Sequence, residues 1–316
     1  MTKYLKTASK SIKNTGERMV PAYHKNQLVY GEHLVRYEAV KELVKGKAVL
    51  DIAAGSGYGS YLIARTAKKV TGVDYSPVAA KYAKANYASP KITYLQGDAK
   101  AIPIDDNSVD VVVSFETLEH IDDYEKFMSE IKRVLKPNGL LVLSTPNDIE
   151  FPEGADFHFH EFKQAELERL VKKYFKNIKP YYQGTWIYNT LLSEQRVREE
   201  WSAPVNTLSL APISLDRILY FFYLCSNRPI KEEVALTGAI SEHWSTRKML
   251  EHNASMDKYM RKMKAHYEGI LQQKDKQIEQ ARREGGQPAL VRQGRRAGRL
   301  VRRKAGALKT KVRQAK

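Results

Sequence analysis

Three groups of residues in this 316-residue chain have types and spacing suited to chemistry. The first is DIAAGSGYG (51–59), in which glycines at 55, 57 and 59 follow an aspartate directly behind an apolar run. Gly55 and Gly57 would let the backbone approach a ligand closely, and Gly59 would open a helix near its positive end. The second is a pair of acids downstream, Asp74 in GVDYS and Asp98 in LQGDAKAIP. An acid at the first position can accept both hydroxyls of a ribose, and one at the second can reach an adenine amino group. The third is histidine: His120 in SFETLEHI, and His158 with His160 in DFHFHEF (156–162). Histidine is the usual choice for removing a proton near neutral pH.

The histidines admit several roles. Glu116 and His120 are four apart, so a helical turn would place them on one face. Packing the end of a sheet is the structural alternative for His120. In an extended segment His158 and His160 point the same way, with Glu161 opposite. That arrangement suits a general base with a supporting neighbour, a metal pair, a polar gate, or simple entry into the next helix. A metal site needs a third ligand that spacing does not identify, so none is assigned.

These groups sit on alternating elements. Apolar runs at 47–53, 69–74, 92–98, 109–115 and 139–145 lack polar alternation, as expected of parallel strands covered on both faces. Helical spacing fills 59–67, 77–88 and 124–136, where Pro137-Asn138-Gly139 stops the last helix. This alternation predicts a doubly wound α/β sheet. Further on, 162–175 reads as an amphipathic helix, and 177–184 and 218–226 as strands, a buried helix being the alternative for the last. Residues 185–217 have no clear period and read as an irregular cap.

Bulk properties narrow the class. The composition is that of a soluble chain, 42% hydrophobic with mean hydropathy −0.52, and no apolar stretch approaches the roughly 18 residues of a membrane span. The basic N-terminus lacks the apolar core of a signal peptide. A lone cysteine, Cys225, excludes a disulfide framework and a cysteine-rich zinc site, so a cytoplasmic location is expected. It reads as a buried strand residue. The net charge of +17 is concentrated in 285–316, which holds eleven Lys or Arg and no acid. Basicity is therefore a property of the tail.

VLDIAAGSGYGS, GVDYS, GDAKAIPIDDNSVDVVVSFETLEHI and LKPNGLLVLSTPN together resemble the ordered motifs of class I S-adenosylmethionine-dependent methyltransferases, over roughly residues 30–185. The resemblance implies a mostly parallel seven-stranded sheet, Rossmann-like, with the last strand antiparallel. It implies S-adenosyl-L-methionine as cofactor. Asp51 and the Gly55 and Gly57 backbone would hold the methionine part, Asp74 the ribose, Asp98 with the Ala99 amide the adenine, and Glu116 would lie near the amino-acid end; Ala53 and Tyr75 count among the cofactor-binding residues. A dehydrogenase, the natural competitor, would carry G-x-G-x-x-G, whereas this loop is G-S-G-Y-G behind an acid.

The acceptor is a separate question. TGERMVP…EHLVRYEAV and FHFHEF…ELERL resemble bacterial methyltransferases associated with cell-surface polysaccharide synthesis. That implies a sugar hydroxyl on a nucleotide-sugar, lipid-linked oligosaccharide or glycan. Trp186, Tyr188 and Trp201 would suit stacking on sugar faces or forming a cap core. A quinone, lipid or other small molecule fits the same core motifs. A nucleic-acid acceptor is motivated by the tail, but SFET is not the Asn/Asp-Pro-Pro-aromatic motif that grips an exocyclic amine. A non-catalytic scaffold is the remaining alternative, disfavoured by the intact acid and glycine set. The expected division is a methyltransferase domain at 1–230, a helical, partly coiled-coil extension at 231–284 suited to self-association, and a basic tail at 285–316. The tail reads as a disordered segment or as a basic amphipathic helix contacting anionic membrane.

Overall fold

The computed structural model describes residues 18–24, 28–147, 158–184 and 218–234, together with Ile12 and six helical residues between 269 and 280. The chain divides into two compact units, 1–240 and 241–316. The expected cap at 185–217, most of the coiled-coil stripe at 249–278 and the basic tail lie outside the described residues. Among the described residues, no helix is long and apolar enough to cross a membrane.

The first unit opens with helices α1 (Pro21–His24), α2 (Leu28–Ala39) and α3 (Lys41–Val44). There follow β1 (Ala48–Ile52), α4 (Tyr58–Ile63), β2 (Lys69–Asp74), α5 (Pro77–Asn86), β3 (Ile92–Gln96) and β4 (Val109–Phe115). A 3-10 turn at Leu118–His120 leads to α6 (Tyr124–Val134), β5 (Leu135–Pro146), α7 (Gln164–Tyr174), β6 (Asn177–Gln183) and β7 (Tyr220–Ser226). The seven strands lie in the order β3-β2-β1-β4-β5-β7-β6. Strands β1 to β5 pair in parallel, and β7 runs antiparallel between β5 and β6.

Alternate residues of each central strand feed two cores, which is why the strands read as continuous apolar runs. Val49, Val111, Val113, Val142 and Leu224 pack on one face. Leu50, Val112, Leu141, Tyr223 and Cys225 pack on the other. Cys225 is fully buried, and burial pushes its thiol far above the usual range. It is a core residue.

Local chemistry sets the helix starts. Ser76 accepts the Ala79 amide at 3.3 Å ahead of Pro77, and Asp123 accepts the Lys126 amide at 3.0 Å. Both are side-chain N-caps. The sequence reading differs from the structure at two places. The helix expected over 124–136 ends at Val134, and Leu135 is already extended. The strand register jumps from Val109 opposite Leu135 to Val111 opposite Leu140, so Pro137-Asn138-Gly139 lies inside β5 as an irregularity. Proline also biases Lys136 away from helix. The second difference is α2, which the apolar-run reading leaves unassigned; it supplies much of the site.

Candidate active site

Strand order reverses between β1 and β4, and open α/β sheets bind ligands outside the carboxyl ends of strands at such a point. DIAAGSGYG leaves β1 there. The loop carries positive φ at Ala53 (56°), Gly55 (56°) and Gly57 (86°), and a non-glycine in that region stores strain that clusters at ligand sites. Gly57 is the N-cap of α4, so the helix opens two residues before Gly59. Gly59 serves packing instead: a Cβ there would lie 2.0 Å from the Tyr37 ring.

The acids organise this loop. Asp74 accepts the Gly55 amide at 2.7 Å and the Ser76 amide at 2.9 Å, one on each oxygen, and Arg18 approaches to 3.9 Å. A carboxylate has about four lone-pair sites, so capacity remains for ribose hydroxyls. Asp51 is buried beneath the loop, where its oxygens accept Ser60 Oγ at 2.5 Å and Tyr37 Oη at 3.5 Å. It is held beneath the loop by these two hydroxyls. Burial pushes its carboxyl up to about 7, against the pull of the Ser60 and Tyr37 hydrogen bonds. Asp98 accepts the Lys100 amide at 2.8 Å beside a nearly buried Ala99, and Tyr75 is 76% exposed at the end of β2.

Glu116 ends β4 with a φ of 50°. Its Oε1 accepts Ser144 Oγ at 2.7 Å and lies 2.7 Å from Arg36 Nη1. The Arg36 guanidinium is buried, sits 4.3 Å from the Tyr220 ring centroid, and among the described residues has no hydrogen-bond partner at Nε or Nη2. A buried, unmatched donor costs about 1–3 kcal/mol. Two donors are therefore available to an anion. Arg36 and Tyr37 were missed at the sequence level; the signal was Glu32 and Arg36 at helical spacing within EHLVRYEAV.

The histidines separate into two places. Glu116 and His120 share no helical face, because the 3-10 turn begins only at Leu118 and Glu116 turns the chain with positive φ. His120 instead meets His158, ring centroids 4.7 Å apart and nearly perpendicular. The segment around 158 is bent, since the Phe159 amide donates to the Glu119 carbonyl at 2.7 Å. His158 and His160 accordingly do not share a side. His158 Nδ1 bonds Glu161, which therefore lies with it and not opposite, whereas His160 Nε2 bonds Glu166 at 2.8 Å and packs on Tyr124 and Phe162. Beside the first pair stands Glu119, buried, with Oε2 accepting Thr145 Oγ1 at 2.9 Å and Oε1 unmatched. Burial first, and Glu116 second, push its carboxyl well above the usual range. Glu119 was overlooked although it precedes His120 in LEHI.

This strand order, with an acid-led glycine loop and strand-end acids at the switch point, is a Rossmann-like arrangement of the kind the methyltransferase resemblance implies. Comparison with known proteins agrees: residues 50–143 match the family model described as a methyltransferase domain, and S-adenosylmethionine is the cofactor of that domain. The chain is 38% identical over 163 residues to a probable S-adenosylmethionine-dependent methyltransferase of Mycolicibacterium smegmatis, covering 50% of this chain and 63% of that protein. A protein of Mycobacterium tuberculosis with the same description is 37% identical over 171 residues, covering 52% and 62%. The chain thus spans less than two thirds of the length of the curated relatives it matches. A phthiotriol/phenolphthiotriol dimycocerosates methyltransferase of M. tuberculosis is 34% identical over 96 residues, covering 30% of this chain and 36% of that protein. Among solved structures, an S-adenosylmethionine-dependent methyltransferase of Thermotoga maritima aligns with TM-score 0.48 at 23% identity, over 67% of this chain and 97% of that one.

Proposed function

We propose that the whole chain transfers the methyl group of S-adenosylmethionine to a hydroxyl of a sugar acceptor, carried on a nucleotide-sugar, a lipid-linked oligosaccharide or a surface glycan. The observation that carries the methyl-transfer part is the Glu116–Arg36 pair, 2.7 Å apart, with two further Arg36 nitrogens unmatched. The amino-acid end of the cofactor is a zwitterion. Its ammonium suits Glu116 and its carboxylate suits the guanidinium fork. Asp74 suits the ribose and Asp98 with Ala99 the adenine.

The reaction is an in-line displacement. The acceptor oxygen attacks the methyl carbon, the carbon–sulfur bond breaks, and S-adenosylhomocysteine leaves. The cofactor supplies the reactive carbon, so the protein's work is alignment and disposal of the hydroxyl proton. Alignment is worth roughly 7–11 kcal/mol in well-oriented intramolecular cases. The His120–His158 pair, with Glu161 behind His158, is the group suited to that proton.

The sugar reading is supported by the TGERMVP…EHLVRYEAV and FHFHEF…ELERL blocks, which include α2 and the His158 segment. A lipid acceptor is the second reading, favoured by the relatives named phthiotriol/phenolphthiotriol dimycocerosates methyltransferases. Methyl-labelled S-adenosylmethionine, incubated with the full chain and separate nucleotide-sugar, lipid-linked oligosaccharide, quinone, lipid and RNA pools, tests both. Label in a sugar-bearing pool is expected. Label confined to sugar-free lipid or RNA would replace the acceptor, and no S-adenosylhomocysteine with any pool would remove the enzyme reading.

A further inference from the structure

We propose that Glu119, His120 and His158 form a site for a divalent transition-metal ion of the zinc type at the carboxyl ends of β4 and β5. One carboxylate oxygen and one nitrogen from each imidazole lie within 4.8 Å of one another. Two imidazoles and one carboxylate form a donor set that suits zinc and its first-row neighbours, leaving positions open for substrate. Donors bound at about 2.0–2.2 Å to one ion sit roughly 3–4 Å apart, so loading draws the rings inward by on the order of 1 Å.

Three further features point to a ligand. Glu119 is 1% exposed, yet among the described residues its Oε1 has no hydrogen-bond partner. Its Oε2 is held by the Thr145 hydroxyl, which fixes the orientation of the carboxyl group. His158 Nδ1 bonds the Glu161 carboxylate, the kind of contact through the other ring nitrogen that orients a ligating imidazole. The two halves of the site are also tied by backbone, since the Glu119 carbonyl accepts the Phe159 amide. The site is therefore built from both sides before any ion arrives.

If the chain is a methyltransferase as proposed, the ion binds the acceptor hydroxyl and lowers its pKa. With the ion bound, water would take the proton in place of the histidine pair, the oxygen would bond to the methyl carbon as the carbon–sulfur bond breaks and S-adenosylhomocysteine leaves, and the two histidines would serve as ligands. That role rests on the proposed activity; the metal site itself does not.

The test is a titration of the chelator-stripped, redialysed full chain with Co²⁺, followed by visible absorption, in the absence of any methyl donor. One equivalent should generate a ligand-field band that Zn²⁺ bleaches. Glu119→Gln, His120→Asn and His158→Asn should each abolish it, and Glu161→Gln should weaken Co²⁺ binding by about 10–100-fold, as second-shell changes do. His160→Gln should leave the titration unchanged. Absence of a band, or a band that survives the ligand substitutions, overturns the site. Calorimetric binding of S-adenosylmethionine to the same proteins reports folding and the methyltransferase reading separately, so either can fail alone.

Discussion

Arg36 Nη1 lies 2.7 Å from Glu116 Oε1, joining a helix that precedes the sheet to the turn that leaves β4. Both side chains are largely or wholly withdrawn from water, and Ser144 bridges them. A buried pair of this kind is weak evidence for stability, because desolvation offsets the attraction. Its two donors without a partner among the described residues instead motivate the recognition role proposed for it. Arg36→Met should weaken S-adenosylmethionine binding at least tenfold, about 1.4 kcal/mol. Decarboxylated S-adenosylmethionine should bind the wild type and the variant with nearly equal strength. Calorimetry with both ligands checks this; equal losses for the two would remove the carboxylate from Arg36.

Asp74 joins the glycine loop to the start of α5 through the Gly55 and Ser76 amides. Hydrogen bonds to a charged group are worth about 1.5–3 kcal/mol each, so Asp74→Ala should lower cofactor affinity by more than about 100-fold. Asp74→Asn, which keeps an acceptor, should lose less. Equilibrium dialysis with labelled cofactor measures both.

Asp51 makes stability depend on pH. Its carboxyl titrates at about 7 in the fold, against an ordinary value of 3.8. Between those values the folded chain holds a proton that the unfolded chain has released. Rising pH through this window therefore costs stability, up to about 4 kcal/mol at roughly 1.4 kcal/mol per unit. Asp51→Asn lacks that loss. Its melting temperature relative to wild type should rise from pH 5 to pH 7 and then level off, measured by ligand-free thermal denaturation. A flat difference would mean that Asp51 is ionised throughout.

Gly59 faces the Tyr37 ring with no room for a methyl group. Gly59→Ala should cost about 1–3 kcal/mol, the usual penalty of overpacking. For a unit of this size that is a fall of roughly 2–12 °C in Tm at about 2–4 °C per kcal/mol. Thermal unfolding by circular dichroism would register it.

His158→Ala should spare cofactor binding and lower turnover by about 10²–10⁴. His160→Ala should do much less, because His160 is committed to Glu166, Tyr124 and Phe162. Single-turnover rates at saturating cofactor compare them. Unchanged turnover in His158→Ala would take His158 out of the chemistry.

Much of the cofactor side was legible in the sequence because its signals are local. Strand ends, the acid-led glycine loop and the strand-end acids are each set by a few neighbouring residues, and the structure has Asp51 in β1 and Asp74 at the end of β2 as expected, while Asp98, expected to end the third strand, lies two residues beyond β3. Asp51 differs in detail, since its partners are Ser60 on α4 and Tyr37 on the earlier helix α2. The histidine geometry was misread for the same reason. Extended spacing put His158 beside His160, whereas contact with the Glu119 carbonyl bends that segment and turns the two rings to different partners.

The amino-acid order by itself determined the alternation of strands and helices, the acid-led loop between β1 and α4, and the cofactor class that its motifs resemble. It did so because hydrophobic periodicity and turn chemistry act over a few residues. Only the tertiary structure decided that Arg36 reaches Glu116, that Glu119 stands beside His120 and His158, and that His160 stands apart. The Arg36–Glu116 and His120–His158 contacts join residues far apart in the chain. Their existence depends on how the sheet and its flanking helices close over the carboxyl ends of the strands, which no local pattern encodes.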